Sequence, residues 1–351
     1  MLSNSDIAEL LAEQAESETG ILARAFRRAA RSAFLWPEEV SVLVDKVRPL
    51  TELRSVGPVI SKQIQSWIDR PPRRAKTVPT IRRDFVSLAE ARRLLAARPA
   101  WSKKLRGDLQ MHTRWSDGSG TITEMADAAK ERAYEYIAVT DHSKTLKIAG
   151  GIDEQGLNRQ GMEIEKVNAE LSKSRANLTL LRSIEMNLNP RGEGDMSPDS
   201  LRRLDLVLSS FHSALRTTED QTERYLAALR NPHVQILGHH RGRIYNFRIG
   251  LKADWPRVFA EAARLNKALE IDCYPDRQDL NVELLKIAPE HGTRISLGTD
   301  AHHPWQLQFI NFGLAEALRA KIPSDRILNF MPILALKTWA QRLRDSRMPR
   351  R

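Results

Sequence analysis

The feature that most restricts the fold is a regular alternation of short apolar runs with amphipathic segments, from about residue 104 to residue 343. The runs have the length of buried strands, and the segments between them repeat apolar residues at helical spacing. Such an alternation predicts an α/β fold, with a parallel sheet closed into a barrel of about seven units. The predicted strands are 107–112, 136–142, 178–186, 205–212, 234–239, 268–274 and 294–300.

The first 70 residues show only helical spacing and predict a small all-helical domain. Within it, two short helices joined at Gly57 would form a helix-hairpin-helix, whose turn can present N–H groups to a DNA phosphate. An ordinary helical turn explains so short a pattern equally well. The predicted organisation is a helical domain at 1–70, a basic linker with one helix at 71–103, the barrel at 104–343 and a basic tail at 344–351.

The net charge of +11 is concentrated between Arg70 and Arg106, where twelve Lys/Arg accompany only Asp84 and Glu90. This segment is either a solvated linker or a strip that contacts phosphate backbones, and composition does not decide between them. On the second interpretation DNA is the partner and binds through residues 1–106. The candidate DNA-binding residues are Gly57, Lys62, Arg73, Arg74, Arg82 and Arg83.

Metal-capable side chains recur at the carboxyl ends of the predicted strands. Six of the seven strands carry at least one, and five of the nine histidines lie there. A single strand-end histidine is more often structural, but parallel strands bring their carboxyl ends to one rim, so the whole set predicts a metal site. The candidate ligands are His112, Asp117, His142, Glu185, His212, His239, Asp300 and His302.

The remaining composition concerns the cellular setting. Cys273 is the single cysteine, so no internal disulfide can form and a reducing compartment is suitable. No apolar run approaches the roughly 20 residues of a membrane span, and the N-terminus lacks a signal-peptide pattern. We expect a cytoplasmic protein with no membrane partner. The sequence gives no indication of the oligomeric state.

The ligand set and its order along the chain resemble the PHP (polymerase and histidinol phosphatase) phosphoesterase family. The likeness covers about residues 104–343, includes the stretches 207–213, 231–239 and 268–272, and is greatest to the PHP domain of bacterial family X DNA polymerases. Residues 1–70 resemble the helical DNA-binding domain of those polymerases. Nothing between Asp69 and Lys104 could house a polymerase palm with its paired aspartates.

The resemblance implies a distorted seven-stranded barrel with a trinuclear metal centre. One ion would take His112, Glu185 and Asp300, and a second Asp117, His142 and His302. The third would take His212 and His239, with Glu185 bridging. Asp108 and Asp141 would orient ligand imidazoles. Mixed His/carboxylate sets suit two or three divalent ions of Zn, Mn or Fe.

One member of the implied site departs from the family pattern. In the family the first strand usually ends in the pattern His-x-His, whereas this chain has Gln110-Met111-His112. A glutamine oxygen is a weaker ligand than imidazole and favours hard ions, so Gln110 is expected to be a weak or absent ligand, with Mg²⁺ possible there. In the hairpin, Ser55 replaces the family's first glycine, while Gly57 is kept.

Arginines beyond the strand ends are candidates for holding a phosphate. Arg243 and Arg277 each follow a strand end by a few residues and could clamp a non-bridging oxygen. The predicted function is metal-dependent phosphoester hydrolysis, as a DNA 3′–5′ exonuclease or 3′-end-processing enzyme in DNA repair. The alternatives are a small-molecule phosphatase of the histidinol-phosphatase type and a catalytically weakened DNA-binding protein.

Overall fold

A computed structural model describes residues 2–72, 77–239 and 241–345, and these ranges contain eight parallel strands in two sheets. The first sheet has the order β1–β2–β3 and the second the order β4–β5–β6–β7–β8. The strands are β1 (Gly107–Asp108), β2 (Tyr136–Val139), β3 (Thr179–Arg182), β4 (Glu185–Leu188), β5 (Leu208–Phe211), β6 (Ile236–Leu237), β7 (Ala268–Asp272) and β8 (Arg294–Gly298).

The two sheets form one closed ring with seven positions. β3 and β4 are halves of the single strand predicted at 178–186, interrupted at Ser183 and Ile184. A parallel bridge between His142 and Glu185 joins β2 to β4, and a bridge between Met111 and Ala301 joins the two ring edges beyond β1 and β8. The predicted seven-stranded distorted barrel is therefore confirmed.

Helices surround the barrel and form the N-terminal region. Capping residues mark the starts of several: the box formed by Thr121 and Glu124 begins α7, and the Asp153 carboxylate caps α8. The helices are α1 (Asn4–Ser17), α2 (Gly20–Ala33), α3 (Val40–Asp45), α4 (Pro58–Asp69), α5 (Leu88–Ala96), α6 (Pro99–Ser102), α7 (Ile122–Glu131), α8 (Glu154–Lys173), α9 (Pro198–Arg202), α10 (Thr222–Arg230), α11 (Trp255–Arg264), α12 (Val282–Leu285), α13 (Ala288–His291), α14 (Ile310–Arg319) and α15 (Ile333–Asp345).

The last helix closes the end of the barrel opposite the predicted ligands. Leu336, Trp339 and Leu343 of α15 pack in one apolar cluster with Tyr136 and Ala268, which begin their strands. The amino ends of the strands are thus sealed, and the carboxyl ends remain for the site. None of the helices in the described ranges is long and apolar enough to cross a membrane.

Helices α1 to α4 share their own apolar core, which includes Ile7, Phe26 and Trp36. The predicted hairpin is only partly regular. Its second helix is α4, with Gly57 at the N-cap, but before the turn there is a single 3₁₀ turn at Leu50–Glu52. Ser55 has a φ of 65°, a left-handed conformation that glycine adopts more readily, and this matches the replacement of the family's glycine there.

The segment before α5 fastens the helical region to the barrel. Tyr245, which follows β6, is buried in the N-terminal core, with its ring centroid 4.8 Å from that of Phe34 and 5.2 Å from that of Phe85. Arg82 donates to both carboxylate oxygens of Glu9 at 2.9–3.1 Å and also pairs with Glu16. The linker therefore packs as part of the folded body.

Arg82 does not have the predicted DNA-binding role. Only 7% of its surface is exposed. Burial disfavours its charge, yet the hydrogen bonds to Glu9 and Glu16 raise its pKa above the ordinary value for arginine. Its guanidinium is thus committed to a buried ion pair, where a DNA phosphate cannot reach it.

Candidate metal centre

Glu185, the first residue of β4, is the centre of the site. It is fully buried, and its Oε1 lies 3.1 Å from His212 Nε2 and 3.0 Å from His239 Nε2. Its Oε2 lies 3.2 Å from His112 Nε2 and 3.5 Å from His142 Nδ1. Burial alone would raise its pKa, but the surrounding imidazoles, first those of His239 and His142, hold the pKa well below the usual value. The carboxylate is therefore ionised and available for cations.

The structure brings all eight predicted ligands together at one rim. The members of each of three groups have ligand atoms within 4.8 Å of one another. His239 belongs to the same cluster because its Nε2 lies 3.0 Å from Glu185 Oε1 and 3.3 Å from His212 Nε2. The groups are His112, Asp117, His142 and His302; His142, Glu185 and His212; and His112, Glu185 and Asp300.

Several buried polar atoms in this cluster have no hydrogen-bond partner in the described ranges. They include His112 Nδ1 and Gln110 Oε1. Burying a polar atom without a hydrogen-bond partner costs about 1–3 kcal/mol. A bound cation would remove this cost, so several such atoms in one cluster are typical of a metal site. Asp300 has a left-handed φ of 51°, a conformation that is uncommon for residues other than glycine. The donor set, imidazole with carboxylate, fits divalent metals of the zinc, manganese and iron type.

Gln110 lies inside the cluster and is fully buried. Its Nε2 donates to Glu185 Oε2 at 3.1 Å and lies 3.3 Å from His239 Nδ1. A side chain at Gly298 would overlap Gln110 and the carboxylate of Glu270, so the strand behind Gln110 approaches closely enough to require glycine. Gln110 therefore lies within hydrogen-bond distance of two of the predicted ligands, Glu185 and His239.

The two aspartates predicted to orient imidazoles instead hold the backbone of the ligand-bearing loops. Asp108 accepts from the Gln110 and Thr299 N–H groups, at 3.2 and 3.1 Å, and from the Thr299 hydroxyl. Asp141 accepts from the Thr113 N–H at 2.8 Å and from the Ser116 hydroxyl at 2.6 Å. The oxygens of both aspartates thus accept from the loops that carry the ligands. This corrects the prediction that they contact the ligand imidazoles.

Other residues orient the imidazoles. Asn187 Oδ1 lies 3.0 Å from His212 Nδ1, and the Asp300 carbonyl oxygen lies 2.7 Å from His302 Nδ1. Glu270 accepts from the backbone N–H of His239 at 2.8 Å and so holds the chain that carries this imidazole. Sequence reasoning missed Asn187 and Glu270, although both lie in or beside the predicted strands. The alternation along β4 and β7 was the available signal, because alternate residues of a barrel strand face its interior.

The structure separates the two arginines predicted to clamp phosphate. Arg277 Nε lies 3.7 Å from both Asp300 Oδ2 and Asp272 Oδ2, and 29% of its side chain is exposed. It borders the metal cluster and can reach a substrate. Arg243 is only 4% exposed; its Nη2 donates to the Arg83 and Asp84 carbonyl oxygens, and it stacks 3.8 Å from the centre of the Phe85 ring. Those partners are all in the linker, so the phosphate-clamp role for Arg243 is wrong.

The other predicted DNA-binding residues have varied surroundings. Gly57 and Lys62 are exposed at the start of α4. Arg83 is exposed as well, although its guanidinium donates to the Val78 carbonyl oxygen at 2.9 Å. Arg73, Arg74 and the end of the basic tail lie outside the described residues. For these residues the DNA-binding role stays a prediction.

Comparisons with known proteins agree with this site. Residues 108–297 match the family model described as the PHP domain. The DNA polymerase/3'-5' exonuclease PolX of Bacillus subtilis is 35% identical over 240 residues, which are 68% of this chain and 41% of that protein. A probable phosphatase of Thermoanaerobacter sp. is 26% identical over 232 residues, covering 64% of this chain and 91% of that protein.

Among solved structures, histidinol phosphate phosphatase from Lactococcus lactis, complexed with zinc, L-histidinol and phosphate, aligns with a TM-score of 0.44 and 18% identity. The alignment covers 61% of this chain and 93% of that one. The family match spans more than half of the present chain and contains six of the eight clustered ligands. The protein belongs to the PHP family and is a metal-dependent phosphoesterase.

Proposed function

We propose that this protein hydrolyses phosphodiester bonds at DNA 3′ ends. The observation that carries the proposal is the cluster around Glu185, with Arg277 beside it. A 35% identical relative described as a polymerase/3'-5' exonuclease supports DNA as the substrate, and so does a helical region packed directly on the barrel. This chain spans only 41% of that relative's length. The relative's activity is therefore not assigned to this chain directly, and the proposal rests on the site.

The three groups of ligand atoms would hold two or three divalent cations. When bound, such ions polarise phosphoryl oxygens and acidify a water molecule that can act as nucleophile. Zn²⁺, Mn²⁺ and Fe²⁺ suit the imidazole-rich groups, and a carboxamide oxygen such as that of Gln110 suits a harder ion such as Mg²⁺. Glu185 would serve as a ligand in two of these groups, since each of its two oxygens faces a different pair of imidazoles.

The chain supplies the positioning groups. Arg277 stays charged because Asp300 and Asp272 raise its pKa against the effect of burial. Its planar guanidinium can donate two parallel hydrogen bonds to non-bridging oxygens of a scissile phosphate. Asp108 and Asp141 hold the backbone of the loops that carry the ligands. The imidazoles therefore need little rearrangement when a substrate binds.

A second candidate is hydrolysis of a small phosphomonoester. It is favoured by the relative described as a probable phosphatase, 91% of which aligns with this chain. The same cluster could serve either reaction, since both transfer a phosphoryl group to water. The candidates differ in whether residues 1–72 are needed, because a small substrate makes no use of a helical DNA-binding region.

The test of the proposal is degradation of a 3′-labelled oligonucleotide in the presence of Mn²⁺. Wild-type protein is expected to release labelled nucleotides. His142→Ala should do so at a rate lower by about 10²-fold or more, because His142 contacts both Asp117 and Glu185. His291→Ala, a histidine at the end of α13 away from the three groups, is the matched control and should retain the wild-type rate.

Equal activity in the wild type and His142→Ala would refute the proposal, because the hydrolysis would then come from a contaminant. Turnover of histidinol phosphate or a nucleotide monoester, with no release from the oligonucleotide, would favour the second candidate. Release from the oligonucleotide that is lost in His142→Ala and kept in His291→Ala would establish the first.

Gln110 offers a test of the weakened ligand position. Gln110→His is expected to raise the affinity for Zn²⁺ or Mn²⁺ about tenfold, because imidazole is a stronger ligand than a carboxamide oxygen. The measure is metal content by mass spectrometry after dialysis against graded chelator. Gln110→Met, which keeps the length but removes the oxygen, is the control and should retain no more metal than the wild type. Equal retention in the histidine and methionine variants would contradict a ligand role for this position.

A further inference from the structure

Helix α2 presents four arginines on one face. Arg24, Arg27, Arg28 and Arg31 are spaced so that they share a side of the helix, and all are exposed. The opposite side, with Phe26 and the alanines, is buried in the N-terminal core. Arg24 and Arg31 are about 10 Å apart along the helix axis, a length that covers a few consecutive phosphates of a nucleic-acid strand.

This face lines a cavity of about 460 Å³ between the helical region and the mouth of the barrel. Arg54 joins the four arginines on the helical side, and Trp305 lies in the wall formed by the barrel.

The residues that line this cavity carry an excess of positive charge, with five arginines and one acid, Asp276. Throughout the described ranges, none of the five arginines is within ion-pair distance of a carboxylate. Asp276 is the acid among the lining residues; burial raises its pKa, which Arg277 and Arg31 lower in part. Five like charges around one cavity favour a polyanion.

The cavity borders the metal centre directly. Tyr274 and Gln306, both in its lining, contact His302: the Tyr274 ring centroid is 6.5 Å from that of His302, and Gln306 Oε1 accepts from the His302 N–H at 2.7 Å. The Arg277 guanidinium carbon lies 5.8 Å from the centre of the Tyr274 ring. A strand that leaves the metal centre past Tyr274 therefore enters the cavity.

Trp305 gives the cavity an aromatic surface. Trp305 is 40% exposed, and the Arg54 guanidinium carbon lies 5.9 Å from the centre of its ring. Aromatic faces beside cationic side chains are the combination that binds single-stranded nucleic acid, because bases stack while the backbone is neutralised. A small phosphomonoester would use neither feature.

We propose that this cavity binds the single-stranded segment that precedes the 3′ end, with its phosphates on the α2 arginines and a base on Trp305. The proposal rests on the function proposed above, and it deepens that function by naming the form of the substrate: a single strand several nucleotides long. It also assigns a role in DNA contact to α2, outside both the hairpin turn and the basic linker.

The test is binding of a fluorescent deoxythymidine 12-mer, followed by anisotropy in EDTA so that no cleavage occurs. Arg28→Gln/Arg31→Gln is expected to raise Kd about tenfold or more and to reduce the slope of log Kd against log salt by roughly 1.4, about 0.7 for each lost single-strand contact. Trp305→Leu should raise Kd about tenfold with little change in the salt slope. Lys166→Gln/Lys173→Gln, the same charge loss on exposed positions of α8, should bind as the wild type.

Circular dichroism and thermal unfolding of each variant establish that it is folded. A Kd for Arg28→Gln/Arg31→Gln equal to that of the α8 control would overturn the proposal, and so would competition by a double-stranded 12-mer as strong as that by the single strand. Because binding is measured in EDTA, the result does not depend on hydrolysis. If the wild type releases labelled nucleotides but the cavity substitutions leave Kd unchanged, the cavity proposal is wrong and the proposed function stands. If the cavity substitutions weaken binding but the wild type releases no labelled nucleotides, the proposed function is wrong and the binding site stands.

Discussion

Replacing Glu185 with glutamine is expected to remove most bound metal and to lower the rate of phosphodiester hydrolysis by at least about 10²–10³-fold. The substitution keeps the size of the side chain but removes the charge that faces four imidazoles. Without it, ions held by neighbouring groups would lose their shared ligand. Metal content per chain and the rate on a chromogenic phosphodiester are the measurements.

Glu316→Gln is the matched control for that substitution. Glu316 is also fully buried, but it lies in α14, outside the three groups of ligand atoms, and burial raises its pKa. Metal content and rate should stay near those of the wild type. Equal losses in the two variants would contradict the central role of Glu185 and indicate a general effect of replacing a buried carboxyl group.

Arg277→Ala is expected to lower kcat by about 10²–10³-fold, because a donor aimed at the developing phosphoryl charge is lost. Arg277→Lys should recover only part of the rate, since an ammonium cannot reproduce the two-pronged donation of a guanidinium. Metal content should stay near that of the wild type, because the loss of a positive charge beside the cluster does not weaken the binding of cations.

Arg243→Ala separates the two arginines. Because Arg243 is buried against Phe85 and bonded to the linker backbone, its loss should lower the unfolding free energy by about 2–4 kcal/mol and thus lower Tm. Kinetics at saturating metal and thermal unfolding, measured on both variants, test the assignment. A kinetic defect in Arg243→Ala as large as that in Arg277→Ala, without loss of stability, would contradict it.

The ligand set was predictable because it depends on strand topology alone. Once residues such as His112 and Glu185 are placed at the carboxyl ends of parallel strands, the barrel brings them to one rim whatever the loops do. The closure of the ring, including Gln110 beside Glu185, follows from the same regularity. The break between β3 and β4 was not predictable, since residues 178–186 read as one apolar run.

The directions of side chains in loops were not predictable. Arg243 and Arg277 both follow a strand end by a few residues, yet one points to Phe85 and the other to Asp300. Their difference depends on where the helical region packs, which no local pattern specifies. The same packing places the arginine face of α2 beside Tyr274, residues that are more than 240 positions apart in the sequence.

The packing of Tyr245 and Arg82 at the junction has a consequence for the products of the reaction. Because the helical region and the barrel share buried contacts there, the α2 arginines and the metal ligands lie in one folded body. A strand that contacts both the α2 arginines and the metal centre must be long enough to span the distance between them. Digestion would become slow once the remaining strand is too short to span both points, and short oligonucleotides of defined minimum length would accumulate.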